Sequence, residues 1–244
     1  SKEPVVSSIG GETMTTSVNV GLVASMPDGS EPLGLEILAA SLRESGHQPT
    51  IITFRGVGDL ELAAQQAVSL GAPVIGVAIP SGIAALDALA FILRVRRLGF
   101  RGHITCGGAF ATLCRSRLLE TTPALDSVIR HHGAHALVDL VEAVVDGRDL
   151  SKLQGVTNRE GDGEPTRPID ITGELDLLPE REELGRFAGV PAAKMSAVRG
   201  CWGRCDYCGL RALRKEHQHE MPRAKGIQRR PIESVADEMA RLYH

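Results

Sequence analysis

The chain has 244 residues, of which 43% are hydrophobic and 23% charged, and its formal net charge at pH 7 is −3. These values are ordinary for a globular protein and exclude a disordered, collagen-like or disulfide-scaffold chain. The sequence has no apolar run long enough to span a bilayer and no signal-peptide pattern, so we expect a cytoplasmic protein without a membrane partner.

After a tail at residues 1–17, the sequence up to residue 150 alternates short β-branched runs with longer helical patterns, separated by glycine or proline. The predicted strands are Val18–Ser25, Pro49–Phe54, Pro73–Ile79, His103–Cys106 and Leu125–Arg130. The predicted helices are Pro32–Glu44, Leu60–Leu70, Ile83–Arg97, Ala109–Leu119 and His135–Asp146. Strands that alternate with helices pair in parallel through right-handed crossovers. The pattern therefore predicts a doubly wound α/β domain at residues 18–150, with a five-stranded, Rossmann-like parallel sheet.

Ligands of such a domain bind beyond the carboxyl ends of its strands. The loops expected at that edge read SMPDGSEP, PSG, GGA and RHHGA, and none of them contains GxGxxG or GxxxxGK[ST]. The sequence thus gives little support to an ordinary dinucleotide or nucleoside triphosphate site.

Residues 151–193 are acidic and rich in turn-forming residues, which predicts a linker. After it, Lys194–Arg199 reads as a short strand and Pro231–Tyr243 as a helix, with Val235, Met239 and Leu242 forming its buried stripe. Because the helical pattern is still running at His244, we expect the protein to continue for roughly another 200 residues, judged from the usual size of a barrel domain.

Three of the five cysteines lie close together, as Cys201, Cys205 and Cys208 in the sequence CWGRCDYC. Three thiolates on one loop can bind three irons of a [4Fe-4S] cluster and leave the fourth iron open to a ligand. A zinc site completed by His217 or His219 is the alternative.

The cysteine loop lies within residues 194–230, which hold ten Lys or Arg against three Asp or Glu. Basic residues such as Arg204 and Arg211 can offset the negative charge of a thiolate-bound cluster. Only Trp202 and Tyr207 supply aromatic rings in this window, so we expect no nucleic-acid partner. The two remaining cysteines, Cys106 and Cys114, are expected to be small buried hydrophobic residues.

The CWGRCDYC loop resembles the CxxxCxxC signature of radical S-adenosylmethionine enzymes, in which an aromatic residue precedes the last cysteine. The segment PIESVADEM is similar to a helix common in that superfamily. The resemblance implies that residues 194–244 begin a radical S-adenosylmethionine domain with a partial (β/α) barrel. It also implies that S-adenosylmethionine binds the open iron, with Tyr207 near the adenine.

The preceding domain resembles that of the cobalamin-binding subfamily of these enzymes, on the segments PLGLEILAASLRESGH, CGGAFAT, LDSVIRHHGAHALVDLVEAV and GELDLLPERE. The first strand-to-helix loop has no histidine, so we expect cobalt without a histidine ligand. The nucleotide tail is then expected to lie beside the sheet, in contact with Ser81, Gly82, Gly107 and Gly108. His131 and His132 stand where the family has glycine and glutamate, and we expect them to be exposed turn residues rather than cobalt ligands.

The resemblance implies a methyltransferase that acts on an unactivated carbon through methylcobalamin and a 5'-deoxyadenosyl radical. It implies an external electron donor of the flavodoxin or ferredoxin type and a small-molecule or peptide substrate, while the catalytic residues stay unassigned. Three alternatives remain open: a non-methylating rearrangement or cyclisation enzyme, a cobalamin carrier or sensor with a structural cysteine loop, and a flavodoxin-like domain joined to a zinc-bearing nucleic-acid module.

Overall fold

A computed structural model describes residues 16–27, 29–165, 177–179, 181, 184–220 and 227–243. Most of the tail, part of the linker and His244 lie outside these ranges, as do Asp28 of the first strand-to-helix loop and most of the GELDLLPERE segment.

The core of the fold is one seven-stranded sheet in the order β2-β1-β3-β4-β5-β6-β7. The first five strands pair in parallel and are β1 Asn19–Ser25, β2 Gln48–Phe54, β3 Val74–Ala78, β4 His103–Gly107 and β5 Ser127–Ile129. The intervening helices are α1 Leu33–Glu44, α2 Gly56–Ser69, α3 Gly82–Arg97, α4 Ala109–Thr121 and α5 Gly133–Val145. The predicted doubly wound α/β class is confirmed, and α2 begins four residues earlier than predicted.

Helices cover both faces of the sheet, because successive side chains of a strand point to opposite faces. In β1, Val20 and Leu22 join a core with α1 and α5, while Val23 joins the core formed with α2, α3 and α4. Burial on both faces explains why β1 and β3 are nearly continuous hydrophobic runs.

The sheet has two more strands than the sequence predicts, and both come from the segment interpreted as a linker. They are β6 Val156–Asn158 and β7 Gly161–Asp162, and each pairs antiparallel with its neighbour. The guanidinium of Arg130, only 1% exposed, donates to Val156 O and to Thr157 Oγ1 at 3.0 and 2.9 Å. A buried cation at the end of β5 thus holds strands that are too short to show a periodic pattern.

The remaining elements form a smaller unit beside this sheet. They are the antiparallel pairs β8 Gly185–Phe187 with β9 Val190–Ala192 and β10 Val198–Gly200 with β11 Ile227–Arg229, together with α6 Gly209–Glu220 and α7 Ile232–Tyr243. The predicted buried stripe of α7 is wrong at Met239, which is 59% exposed, while Val235 and Leu242 are half-buried and the fully buried residue of the helix is Glu238. Within the described part of the chain, no helix combines the length and the apolar character needed to cross a membrane.

The turn between β4 and α4 depends on Gly108. Its φ of +108° lies in the region that favours glycine, and a Cβ atom there would lie 2.8 Å from Ile79 O. A Cβ on the neighbouring Gly107 would meet no heavy atom closer than 3.5 Å. The two glycines therefore differ in what they contribute to stability.

We predict that Gly108→Ala lowers the free energy of unfolding by about 2 kcal/mol, because it adds backbone strain and a clash with Ile79 O. Gly107→Ala is the matched control and is expected to unfold near the wild-type midpoint. Urea unfolding followed by circular dichroism measures both, and equal midpoints for the two variants would contradict the assignment.

Candidate cofactor-binding site

A cavity of about 460 Å³ opens where β1, β3, β4 and β5 end, between the sheet and helices α1 and α5. Gly76 and Thr105, in the middle of β3 and β4, form part of its floor. Most of its walls are apolar, and they include Leu22, Ala24, Leu35, Ile37, Leu38, Val77, Ala78, Ile129 and Leu137. Its volume falls within the range of about 300–1,000 Å³ that is usual for small-molecule and cofactor sites.

The structure brings only some of the predicted cofactor-binding residues to this cavity. Gly107 and Gly108 line it, as the sequence suggested. Ser81 and Gly82 are exposed and are not among the lining residues, although the adjacent Pro80 is. Ser81 instead caps α3, its Oγ accepting a hydrogen bond from Ala84 N at 3.4 Å. Contact between these four residues and a cofactor stays a prediction.

The expectation that His131 and His132 are exposed is wrong. Both are half-buried and line the cavity, at the start of α5. His131 has a φ of +53°, and its N–H donates to Thr112 Oγ1 at 3.0 Å. This hydrogen bond holds the turn that brings the chain back over the sheet. The sequence pattern did not predict this turn.

Two cysteines expected to be buried hydrophobic residues behave differently from each other. Cys106 is buried beside the cavity, and burial raises the pKa of its thiol to about 12. It is therefore an unreactive wall residue, as predicted. Cys114 in α4 is only half-buried.

The three cysteines of the predicted cluster lie on one loop between β10 and α6. Cys201 and Cys205 are exposed, Cys208 is half-buried, and all three are free thiols. The N–H of Gly203 donates to Cys201 Sγ at 3.2 Å, and a Cβ on Gly203 would lie 3.2 Å from that sulfur and 3.7 Å from Cys205 Sγ. Because Gly203 has no side chain, there is room beside it for the Cys201 and Cys205 sulfurs.

The described residues contain no group of three or more His, Cys, Asp or Glu side chains gathered closely enough to hold a metal ion. The predicted metal site therefore stays a prediction. Its donor set, three thiols of which two flank a glycine, fits an iron-sulfur cluster better than a closed structural zinc site with four ligands. His219, one of the two candidates for a fourth zinc ligand, is exposed.

Two arginines of α6 fix the backbone of the cysteine loop. Arg211 donates to Arg204 O at 3.0 Å and pairs with Asp206, while Arg214 donates to Cys201 O at 3.0 Å. The sequence suggested Arg204 and Arg211 as charges near a cluster, but it missed Arg214. Tyr207, expected near a bound adenine, is 93% exposed on this loop and does not line the cavity.

A buried ionic network attaches the C-terminal unit to the cavity wall. The Glu31 carboxylate accepts hydrogen bonds from the Arg181 guanidinium and from Lys194 N, and Arg181 also pairs with Glu238 at 2.8 Å. Arg230 pairs with the other oxygen of Glu238, and both of these side chains are only 3% exposed. Helix α7, the linker and the start of α1 are thereby held together.

A second network attaches α6 to the sheet. Arg115 of α4 donates to Glu216 of α6 at 2.7 Å and to Asp162 of β7 at 2.8 Å. Asp162 also accepts from Thr157 Oγ1 at 2.6 Å. Chiefly because of the hydrogen bonds from Arg115, the pKa of the Asp162 carboxyl is lowered to about 2. The Asp162 carboxylate therefore stays charged, and paired with Arg115, across the physiological pH range.

A third contact ties the strand before the cysteine loop to the cavity. Arg199 of β10 lines the cavity and donates to His132 Nδ1 at 3.2 Å. It precedes Gly200, whose φ is +96°, and Cys201. The first cysteine is therefore two residues from the cavity wall.

Comparisons with known proteins agree with this geometry. Residues 19–141 match the profile of the B12 binding domain family, which spans half of the chain. The chain belongs to this family. The cavity described above lies within the B12-binding domain, and residues of the C-terminal unit complete its lining.

Two relatives of the chain are enzymes by name. The chain is 26% identical over 205 residues to the anaerobic magnesium-protoporphyrin IX monomethyl ester cyclase of Synechocystis sp., covering 79% of this chain and 40% of the cyclase. It is 25% identical over 186 residues to the hopanoid C-3 methylase of Methylococcus capsulatus, covering 73% of this chain and 35% of the methylase. The chain thus spans well under half of the length of these relatives.

Among solved structures, the radical S-adenosylmethionine methyltransferase TsrM of Kitasatospora setae, with cobalamin and a [4Fe-4S] cluster bound, shares the fold. The TM-score is 0.63 at 20% identity, over 93% of this chain and 46% of TsrM. The B12-binding part of the family resemblance inferred from the sequence is therefore confirmed, and the likeness to this radical S-adenosylmethionine enzyme confirms the fold.

The buried Glu36, which lies beside Glu31, makes the stability of the fold sensitive to pH. Its pKa is raised from 4.5 to about 7, first by burial and then by the charge of Glu31 and a hydrogen bond with it. Between these two values the folded chain holds a proton that the unfolded chain releases. Stability therefore falls as the pH rises from about 4.5 to about 7.

We predict that Glu36→Gln removes this part of the pH dependence and raises the free energy of unfolding at pH 8 by on the order of 2 kcal/mol. Urea unfolding between pH 5 and pH 8 measures the slope. Glu44→Gln, at an exposed position of the same helix, serves as the control and keeps the wild-type slope. Parallel curves for Glu36→Gln and wild type would contradict the prediction.

Proposed function

We propose that the chain is the cofactor-binding part of a cobalamin-dependent radical S-adenosylmethionine methyltransferase that acts on an unactivated carbon. One observation carries the proposal: the segment leading into the three-cysteine loop supplies Lys194 and Arg199 to the wall of the cavity in the B12-binding domain. A corrinoid in the cavity and a cluster on the loop would therefore be neighbours.

When bound, a reduced cluster would supply the electron that cleaves S-adenosylmethionine into methionine and a 5'-deoxyadenosyl radical, and the corrinoid would supply the methyl group. The residues of the chain have to bind, orient and shield these groups. The three cysteine thiolates would bind three irons, and the apolar cavity would hold the nucleotide tail of cobalamin beside the sheet. Gly107 and Gly108 would let the tail pass close to the backbone.

The resemblance of the cysteine loop to that of radical enzymes also supports two partners. An electron donor of the flavodoxin or ferredoxin type is an acidic protein in general, and the excess of ten basic over three acidic residues at 194–230 would attract it. The substrate would be a small molecule or a peptide. The hopanoid methylase relative supports attack on an unactivated carbon, because its name describes methylation of a hydrocarbon skeleton.

A second candidate is ring closure by the same cofactors without methyl transfer, which the similarity to the Synechocystis cyclase favours. In the native protein, S-adenosylmethionine labelled in its methyl group separates the two reactions. A methyltransferase moves the label to its product, whereas a cyclase leaves the label in methionine.

The proposed corrinoid site is tested by titrating the chain with hydroxocobalamin. We expect one corrinoid to bind per chain, and Gly76→Val to weaken binding at least about tenfold, because its added methyl groups occupy the cavity floor. Gly58→Ala, at a position of α2 where a Cβ has no atom within 4 Å, is the control. Melting temperatures establish that each variant folds. Unchanged affinity in Gly76→Val, or no binding by the wild type, would count against the site.

The proposed cluster is tested by anaerobic reconstitution with iron and sulfide. We expect about four irons and four sulfides per chain, and nearly complete loss of both in Cys205→Ala, because an iron loses its thiolate. Cys205 is exposed, so its removal should not unfold the chain, and Cys114→Ala is the control that keeps the cluster. One equivalent of zinc bound in place of iron would overturn the assignment.

A further inference from the structure

The charged residues of the cavity are concentrated at the end that lies beyond the strands. Among the described residues that line the cavity, the acidic one is Glu31 and the two cations are Lys194 and Arg199. The Glu31 carboxylate already pairs with Arg181 and accepts the hydrogen bond from Lys194 N. The described lining residues thus comprise two cations and one carboxylate in an otherwise apolar space, and the Lys194 ammonium donates to Glu31 O at 3.1 Å.

The start of helix α5 adds to this positive character. Gly133 and Ala134, the first two residues of the helix, line the cavity. The N-cap residue His132 makes no side-chain capping bond to the first turn. The N-terminus of a helix carries a partial positive charge and presents N–H groups, both of which favour an anion.

Arg199 contacts His132 at the start of helix α5. A guanidinium has only donors, so His132 Nδ1 at 3.2 Å must accept the hydrogen bond. Arg199 and Lys194 therefore both present donors at the same end of the cavity as His132.

An apolar cavity can accept the ring of a cofactor, but it cannot accept an uncompensated charge without a large desolvation cost. Cobalamin carries one negative charge in its nucleotide tail, on the phosphodiester between the corrin side chain and the ribose. A tail that enters an apolar cavity is therefore stabilised by a cation or by N–H donors where that phosphodiester rests.

We propose that Arg199, supported by Lys194, binds the phosphodiester of the nucleotide tail at the mouth of the cavity. The inference rests on the proposed function, because it takes cobalamin as the occupant. It adds that the cysteine-bearing unit, and not the B12-binding domain alone, completes the corrinoid site. Because Arg199 is two residues from Cys201, the cofactor would hold in place the strand that leads into the cysteine loop.

The test compares two corrinoids that differ in the nucleotide tail. Hydroxocobalamin contains the phosphodiester, the ribose and the base, whereas diaquacobinamide ends before the phosphodiester. The affinities of the full chain for both are measured by absorbance titration, for the wild type and for Arg199→Gln, Arg199→Lys and Arg101→Gln. Arg101 is exposed and precedes β4 at the opposite edge of the sheet, so Arg101→Gln is the matched control.

We expect Arg199→Gln to weaken hydroxocobalamin binding about tenfold, which is typical for the loss of one charged hydrogen bond, and to leave cobinamide binding unchanged. Arg199→Lys should keep most of the affinity, and Arg101→Gln all of it. Added salt should weaken hydroxocobalamin binding more steeply in the wild type than in Arg199→Gln, because the variant lacks the ion pair.

Equal effects of Arg199→Gln on the two corrinoids would overturn the inference, since the arginine would then act on the shape of the cavity. An unchanged affinity for hydroxocobalamin would overturn it too. Both results leave the proposed function standing, provided that the wild type binds hydroxocobalamin. A wild type that binds neither corrinoid would overturn both the inference and the proposed corrinoid site.

Discussion

The arrangement of this protein depends on two buried carboxylates, Glu31 and Glu238, that share one arginine. Arg181 lies between them, and Arg230 pairs with the other carboxylate oxygen of Glu238. A buried ion pair adds little net stability, since desolvation offsets most of the attraction, but the loss of one partner leaves an unpaired charge that is very costly. The network therefore contributes mainly to conformational specificity. Its charges are paired when α7 and the linker lie in this position against α1.

That placement determines the functional site. Once the Glu31 network holds Lys194 and the Arg115 network holds α6, the cysteine loop between them is attached to the B12-binding domain on both sides. The cavity then gains Lys194 and Arg199 as part of its wall. The B12-binding domain is thus combined with a loop that could bind a cluster, and their separation is set by contacts between charged side chains.

The sequence predicted the parts of this structure that depend on periodic patterns or strict motifs. The five parallel strands and five helices follow from hydrophobic runs punctuated by glycine and proline, and family membership followed from motifs in the right order along the chain. The cysteine triplet was evident from spacing alone, although in the described part of the chain its side chains are not gathered closely enough to hold a metal ion.

What the sequence missed depends on contacts between residues that are distant in the chain. Strands β6 and β7 form because Arg130 is buried against them, and no local pattern records that bond. Glu238 is buried in place of Met239 because its partners, Arg181 and Arg230, come from other segments. Likewise, His131 and His132 line the cavity because the chain turns back over the sheet after β5, which a single sequence cannot show.

The central claim is that one chain places a corrinoid and an iron-sulfur cluster next to each other. Electron paramagnetic resonance of the anaerobically reconstituted chain, with cob(II)alamin bound and the cluster reduced, measures this directly. The account predicts a magnetic coupling between the two spins that disappears when either group is left out. Two independent signals, each identical to that of the chain loaded with one group alone, would contradict it.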